Sequence, residues 1–245
     1  MDMSSTPADQ SQVRQETRVA FVAAIRQEIE PLVRGWTARE IRHDGRTFAF
    51  FESVRADGTR VVAVCSGIGA EQGRRAAEAV IQEAHPRMLM SVGFAGALDS
   101  SLKVGDIVEP RVVVNGSDGS RTDTGCGKGT LVSSRVVAGL DQKRRLASAY
   151  EAIAVDMEGA SVALGAQSHE IEFAALKAIS DELDFAMPPV NQFVSSRGEF
   201  RSGRFALHVV VRPRLWRSTV ALAWNSAKAS RALCKAIESY LDREI

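Results

Sequence analysis

Apolar and polar positions along the chain fall into two regimes, short continuous apolar runs and longer stretches with helical spacing. Residues 18–24 (RVAFVAA) form a run of the kind a strand buried on both faces shows, and they lead into 25–30, read as a loop or helix start. Residues 47–51 and 60–66 flank Ala56, Asp57 and Gly58. Asp-Gly tolerates the positive φ of tight turns, so these two runs predict an antiparallel hairpin. A glycine turn at Gly67 and Gly69 opens an Ala- and Glu-rich helical stretch to about residue 83, and 88–92 (MLMSV) reads as the next strand of a βαβ unit. Residues 103–115 are β-branched and broken by Pro110, and 116–129 form a Gly/Ser/Thr/Asp-rich loop. A helix over 140–150, strands at 152–155 and 174–179 with a helix over 157–168 between them, and helical spacing over 213–242 complete the pattern. Alternating strands and helices predict an α/β fold, a three-layer α/β/α sandwich around a mixed, mainly parallel sheet.

Composition narrows the class. The 245 residues are 45% hydrophobic and 25% charged, as expected of one globular domain. Residues 1–17 are polar, lack the apolar core of a signal peptide, and are expected to be a flexible tail before a single domain over 18–245. No run of about 18 apolar residues spans a bilayer. With Lys+Arg 31 against Asp+Glu 30, the net charge of +1 gives no reason to expect a nucleic-acid partner. Three scattered cysteines, Cys65, Cys126 and Cys234, suit neither a disulfide framework nor a metal knuckle, so a cytoplasmic protein without a metal is expected.

Several polar residues stand where α/β sheets bind ligands, at the carboxyl ends of strands. Asp181 follows the run 174–179 and Ser180, and could equally be a helix N-cap. Asp156 and Glu158, either side of Met157, occupy a strand-to-helix junction where acids also complement a helix dipole. Glu28 lies just past the first strand, where a solvated helix face is the alternative. Glycines flanking Phe94 and Ala95, at Gly93 and Gly96, would let backbone N–H groups approach a ligand. Gly67 and Gly69 could cradle an anion, but they lack the spacing of a dinucleotide fingerprint or a P-loop.

In this order the motifs resemble the nucleoside phosphorylase superfamily, above all its methylthioadenosine/S-adenosylhomocysteine nucleosidase branch. The similar segments are 22–29 (VAAIRQEI), the turn 66–69, 91–98 (SVGFAGAL) with 102–108 (LKVGDIV), 154–160 (AVDMEGA) and 178–181 (AISD). The resemblance implies N-glycosidic cleavage of a purine nucleoside, with Asp181 as the acid at purine N7, Glu158 beside Met157 and Asp156 on the ribose, and Glu28 on the attacking water. It also implies that Gly67, Gly69, Phe94, Ala95, Gly96, Lys177 and Ser180 line the substrate or nucleophile site, that no cofactor is needed, and that the protein is a homo-oligomer, commonly a dimer. Water and inorganic phosphate both stay open as the nucleophile. Lys177 stands where the branch usually has an arginine, Phe94 replaces a small polar residue, Asp156 is one methylene shorter than the family acid, and the base-stacking aromatic falls near Val137.

Between residues 197 and 235 there are nine basic residues, Arg197, Arg201, Arg204, Arg212, Arg214, Arg217, Lys228, Arg231 and Lys235, against the single acid Glu199. Leu207, Leu215, Trp216, Val220, Leu222 and Trp224 are interleaved with them. Such a pattern suits a peripheral membrane contact or a greasy substrate, and equally a core helix with a solvated basic face. The segment also resembles the tail of the hopanoid-associated phosphorylase group, which implies a lipid-linked nucleoside such as adenosylhopane as substrate.

Overall fold

A computed structural model describes residues 17–244 except Pro189, Val194, Ser196, Arg197 and Val211. The expected tail lies outside the described residues, apart from Thr17, which is buried as the first residue of β1 (Thr17–Ala23). α1 (Arg26–Val33) follows, then β2 (Thr37–His43), β3 (Arg46–Val54) and β4 (Arg60–Cys65). The anticipated β3–β4 hairpin is present, and β2 extends it through a second tight turn in which Asp44 and Gly45 both hold positive φ. Next come α2 (Ala70–Ala84), β5 (Met88–Ala97), β6 (Ile107–Val108), β7 (Val112–Asn115), β8 (Arg121–Asp123) and β9 (Thr130–Ser133). The chain ends with α3 (Leu140–Tyr150), β10 (Ala154–Asp156), α4 (Gly159–Ser168), β11 (Glu172–Asp181), α5 (Ser202–Val210) and α6 (Trp216–Glu244). The loop expected over 116–129 contains β8, which pairs antiparallel with β7.

The strands form one mixed, mostly parallel sheet in the order β2-β3-β4-β1-β5-β10-β9-β7-β8, with β11 against β5 and β6. α2 and α4 cover one face over a core containing Phe50, Leu89, Val162 and Ile179, and α1 and α6 cover the other over Phe21, Ile29, Met90 and Leu233. This is the three-layer α/β/α sandwich expected from the sequence. The basic tail divides between its two readings. Ala229, Leu233, Cys234, Ile237 and Leu241 in the second half of α6 are core, whereas Leu207 on α5 and Trp216, Val220 and Trp224 on the first half of α6 stay exposed. Arg197 lies outside the described residues. Among the described residues, no helix is long and apolar enough to cross a membrane.

The sheet opens where β5 changes neighbours. Val22 pairs with Ser91 at the end of β1, and on the same edge β10 begins pairing only at Gly96. The intervening residues of β5 leave backbone donors free on that edge, while β11 runs beside β5 on the other from Met88 to Gly96. The gap between the end of β1 and the end of β10 is the floor of the candidate site.

Candidate active site

Above this gap lies a cavity of about 200 Å³ lined mainly by apolar side chains. Glu28 enters it from the first turn of α1. Its Oε2 accepts the N–H groups of Ala24 (2.8 Å) and Ile25 (3.1 Å), and its Oε1 accepts the freed Phe94 N–H (2.9 Å). Gly93 makes this approach feasible, because at its φ of +146° a Cβ would stand 2.8 Å from Glu28 Oε1. Glu28 is therefore a buried ligand of the sheet gap and not a residue on a solvated helix face. Burial pushes its pKa up against the pull of the three N–H groups and the Lys177 charge.

At the β10–α4 junction the two acids part company. Asp156 Oδ1 accepts the Ser133 hydroxyl at 2.6 Å, and its Oδ2 accepts Gly159 N–H and the Lys177 ammonium, both at 2.8 Å. It lines the cavity, but both of its oxygens are already engaged in anchoring α4. Glu158 accepts one bond, from Gly69 N–H at 2.6 Å. Burial first, and the Asp156 charge second, raise its pKa to about 8. Lys177 does not line the cavity. It bridges Asp156 and Ser91 Oγ (2.9 Å) from the middle of β11, and although burial opposes its charge, Asp156 and Glu158 lift it above the usual lysine range. The resemblance puts Lys177 in the substrate or nucleophile site; the structure holds it within the sheet against Asp156 and Ser91, from where its charge acts on Glu28.

Asp181 closes β11 at a register shift between Ile179 and Asp181, and the shift turns the consecutive residues Ser180 and Asp181 toward the same cavity. No helix starts there, so Asp181 is not an N-cap. Ser180 Oγ donates to Asp181 Oδ1 at 2.7 Å. Facing Asp181 from α3 is Lys143, 1% exposed, whose ammonium lies 2.5 Å from Oδ2 and donates to the Glu182 carbonyl at 2.6 Å. Sequence reasoning passed over Lys143, since a polar residue in the first turns of a basic helix reads as solvated. Gly96 admits the pair, because a Cβ there would stand 2.9 Å from Asp181 Oδ2 and 3.2 Å from Lys143 Cε.

Phe94, Ala95, Gly96 and Met157 line the cavity, and Val137 sits in the wall beside Val136. Gly67 and Gly69 do not. Gly67 borders a separate polar cavity near Arg26, Arg46 and Arg75, while Gly69 acts through its bond to Glu158. The anion cradle expected of this turn is thus occupied by a carboxylate of the chain itself. Met187, Val190, Leu222 and Ser226 complete the lining, brought there by a tail whose place in space its sequence does not reveal. His43, Asp44 and Glu78 bring possible metal-ligand atoms within 4.8 Å of one another, but they lie apart from this cavity and Arg74 already binds Glu78.

Residues 18–139 and 124–203 match the model of the phosphorylase superfamily. The chain belongs to that superfamily. It is 26% identical over 202 residues to a 5′-methylthioadenosine/S-adenosylhomocysteine nucleosidase of Glaesserella parasuis, covering 68% of this chain and 86% of the relative. The futalosine hydrolase of Helicobacter pylori superposes with a TM-score of 0.69 at 18% identity, over 93% of this chain and 98% of that one. A 5′-methylthioadenosine/S-adenosylhomocysteine nucleosidase of Colwellia psychrerythraea, solved with adenine, superposes with a TM-score of 0.61 at 22% identity, over 69% of this chain and 85% of that one. The expected enzyme class, nucleosidase or phosphorylase, agrees with this membership, and the structural likenesses extend the shared fold across nearly the whole chain.

Proposed function

We propose that the cavity hydrolyses the N-glycosidic bond of a purine nucleoside, releasing adenine from a small 5′-substituted adenosine such as methylthioadenosine. The observation that carries this reading is the convergence of Glu28, Glu158 and Asp181, from three distant parts of the chain, on one apolar cavity. Breaking the C1′–N9 bond sends its electron pair to the base and leaves positive charge on the sugar. Asp181 supplies a proton to N7 so that the base departs neutral, Glu158 binds the ribose hydroxyls, and Glu28 receives a proton from the water that attacks C1′. Water is favoured over phosphate because, among the described residues, the lining holds four carboxyl groups and a single cation, Lys143, which is already paired. Adenine release from methylthioadenosine, followed with and without phosphate, tests this. Equal rates in both are expected, no release overturns the reading, and strict phosphate dependence replaces hydrolysis by phosphorolysis.

A second reading, a lipid-linked substrate such as adenosylhopane met at a membrane surface, is favoured by one observation. The segment that carries Leu222 and Ser226 into the cavity lining also exposes Leu207, Trp216, Val220 and Trp224, and it has no acidic residue between Phe200 and Ile237. Adenine release from adenosylhopane in anionic vesicles, faster than from methylthioadenosine, would select it. Binding to those vesicles that survives replacement of both tryptophans by serine would remove its support.

A further inference from the structure

The acid assigned to Asp181 has a difficulty in the geometry itself. Its Oδ2 lies 2.5 Å from the Lys143 ammonium and its Oδ1 accepts the Ser180 hydroxyl, so both oxygens are already engaged as acceptors. Lys143 has its remaining contacts with the carbonyls of Glu182 (2.6 Å) and Asp181 (3.5 Å), is 1% exposed, and lines the same cavity. A lysine kept out of water, with every neighbour an acceptor, has one outlet for a proton that also faces the substrate: the Asp181 carboxylate. Gly96, whose missing Cβ admits the pair, supports the same view.

We infer that Lys143 is the proton store for Asp181, so that the acid of this site is a buried lysine–aspartate pair holding one transferable proton. The inference rests on the hydrolytic reading proposed above. As the C1′–N9 bond breaks, the Lys143 ammonium passes a proton to Asp181 Oδ2, and Asp181 passes that same proton on to N7. Lys143 is left as a neutral amine and Asp181 as a carboxylate. The attacking water gives its proton to Glu28, which releases it to solvent, and once the base has left a proton taken up through Asp181 restores the pair. Lys143 acts through Asp181, as a positioning and proton-supplying residue, and Asp181 touches the base.

A lone carboxyl loses its proton at lower pH than a carboxyl–ammonium pair, whose last proton sits on an amine. Lys143→Met is therefore expected to keep activity at about pH 5–6 and to lose tenfold or more against the wild type by about pH 9. The other charged groups around the pair are Glu28 on α1, Asp156 and Glu158 at the β10–α4 junction, Glu182 with its partner Lys103, and Arg144 with its partner Asp184. They are present in both proteins, so the comparison of the two profiles isolates the removal of the Lys143 ammonium. On 4-nitrophenyl riboside, whose leaving group departs without protonation, the variant should match the wild type within about threefold, which a merely structural lysine would not predict. Lys143→Arg keeps the ion pair but cannot release its proton, so it should stay roughly a hundredfold slow on the adenine nucleoside. Parallel pH profiles for Lys143→Met, or wild-type rates for Lys143→Arg, overturn the inference in an active enzyme. If Lys143→Met does not fold, the arginine variant alone decides. A wild type that releases no base from any nucleoside overturns the proposed function, and the inference with it.

Discussion

Replacing Glu158 by glutamine removes one titratable group from the site while keeping its volume and an oxygen able to accept the Gly69 N–H. In the folded protein burial and Asp156 hold the Glu158 carboxyl up to about pKa 8, against an ordinary value of 4.5. Below the lower value both folded and unfolded chains are protonated there, and the neutral side chain contributes its full stability. Between the two values the unfolded chain has released the proton and the folded chain has not, so stability falls as pH rises, by roughly 1.4 kcal/mol per pH unit. Above about pH 8 the loss is complete, and over the window it reaches several kcal/mol. Glutamine escapes all of it. Urea unfolding of wild type and Glu158→Gln at intervals from about pH 5 to about pH 9 should give nearly equal stabilities at the acid end and a growing advantage for the variant, levelling near pH 8. A pH-independent difference, or one favouring the wild type at high pH, would refute the claim that this carboxyl is buried neutral.

The remaining predictions concern the groups around it. Asp181→Asn should slow base release by about 10²–10⁴-fold while leaving nucleoside binding, measured by calorimetry, within about threefold; unchanged turnover would remove Asp181 as the acid. Gly96→Ala forces a Cβ against both Asp181 and Lys143 and should cost about 1–3 kcal/mol in thermal unfolding together with most of the activity. Lys177→Met leaves Asp156 buried without its cation, and should destabilise by about 3–5 kcal/mol; Lys177→Met with Asp156→Asn should recover part of that loss, and a double variant no better than the single would refute the pairing.

Much of this molecule is written in local pattern. The run at 18–24, the Asp57–Gly58 turn, the helix at 140–150 and the apolar 174–179 each predict an element that forms, because strand and helix periods and turn chemistry are properties of neighbouring residues. The same pattern places Glu28, Glu158 and Asp181 at strand ends, and so on the ligand side of an α/β sheet. β2 and β8 escaped because they are polar edge strands whose outward faces carry no apolar alternation. What each polar residue does could not be read this way. Lys143 and Lys177 are both lysines in segments of ordinary composition, yet one meets Asp181 across 38 residues and the other meets Asp156 inside the sheet. Asp156 and Glu158 are two residues apart, but their partners, Lys177 and Gly69, come from opposite directions along the chain. By itself the sequence determined the layers of the sandwich and which carboxyls stand near its opening. Only the tertiary structure decided which are free to act and which are spent on holding it together, since that depends on charges and N–H groups brought within about 3 Å by strand order.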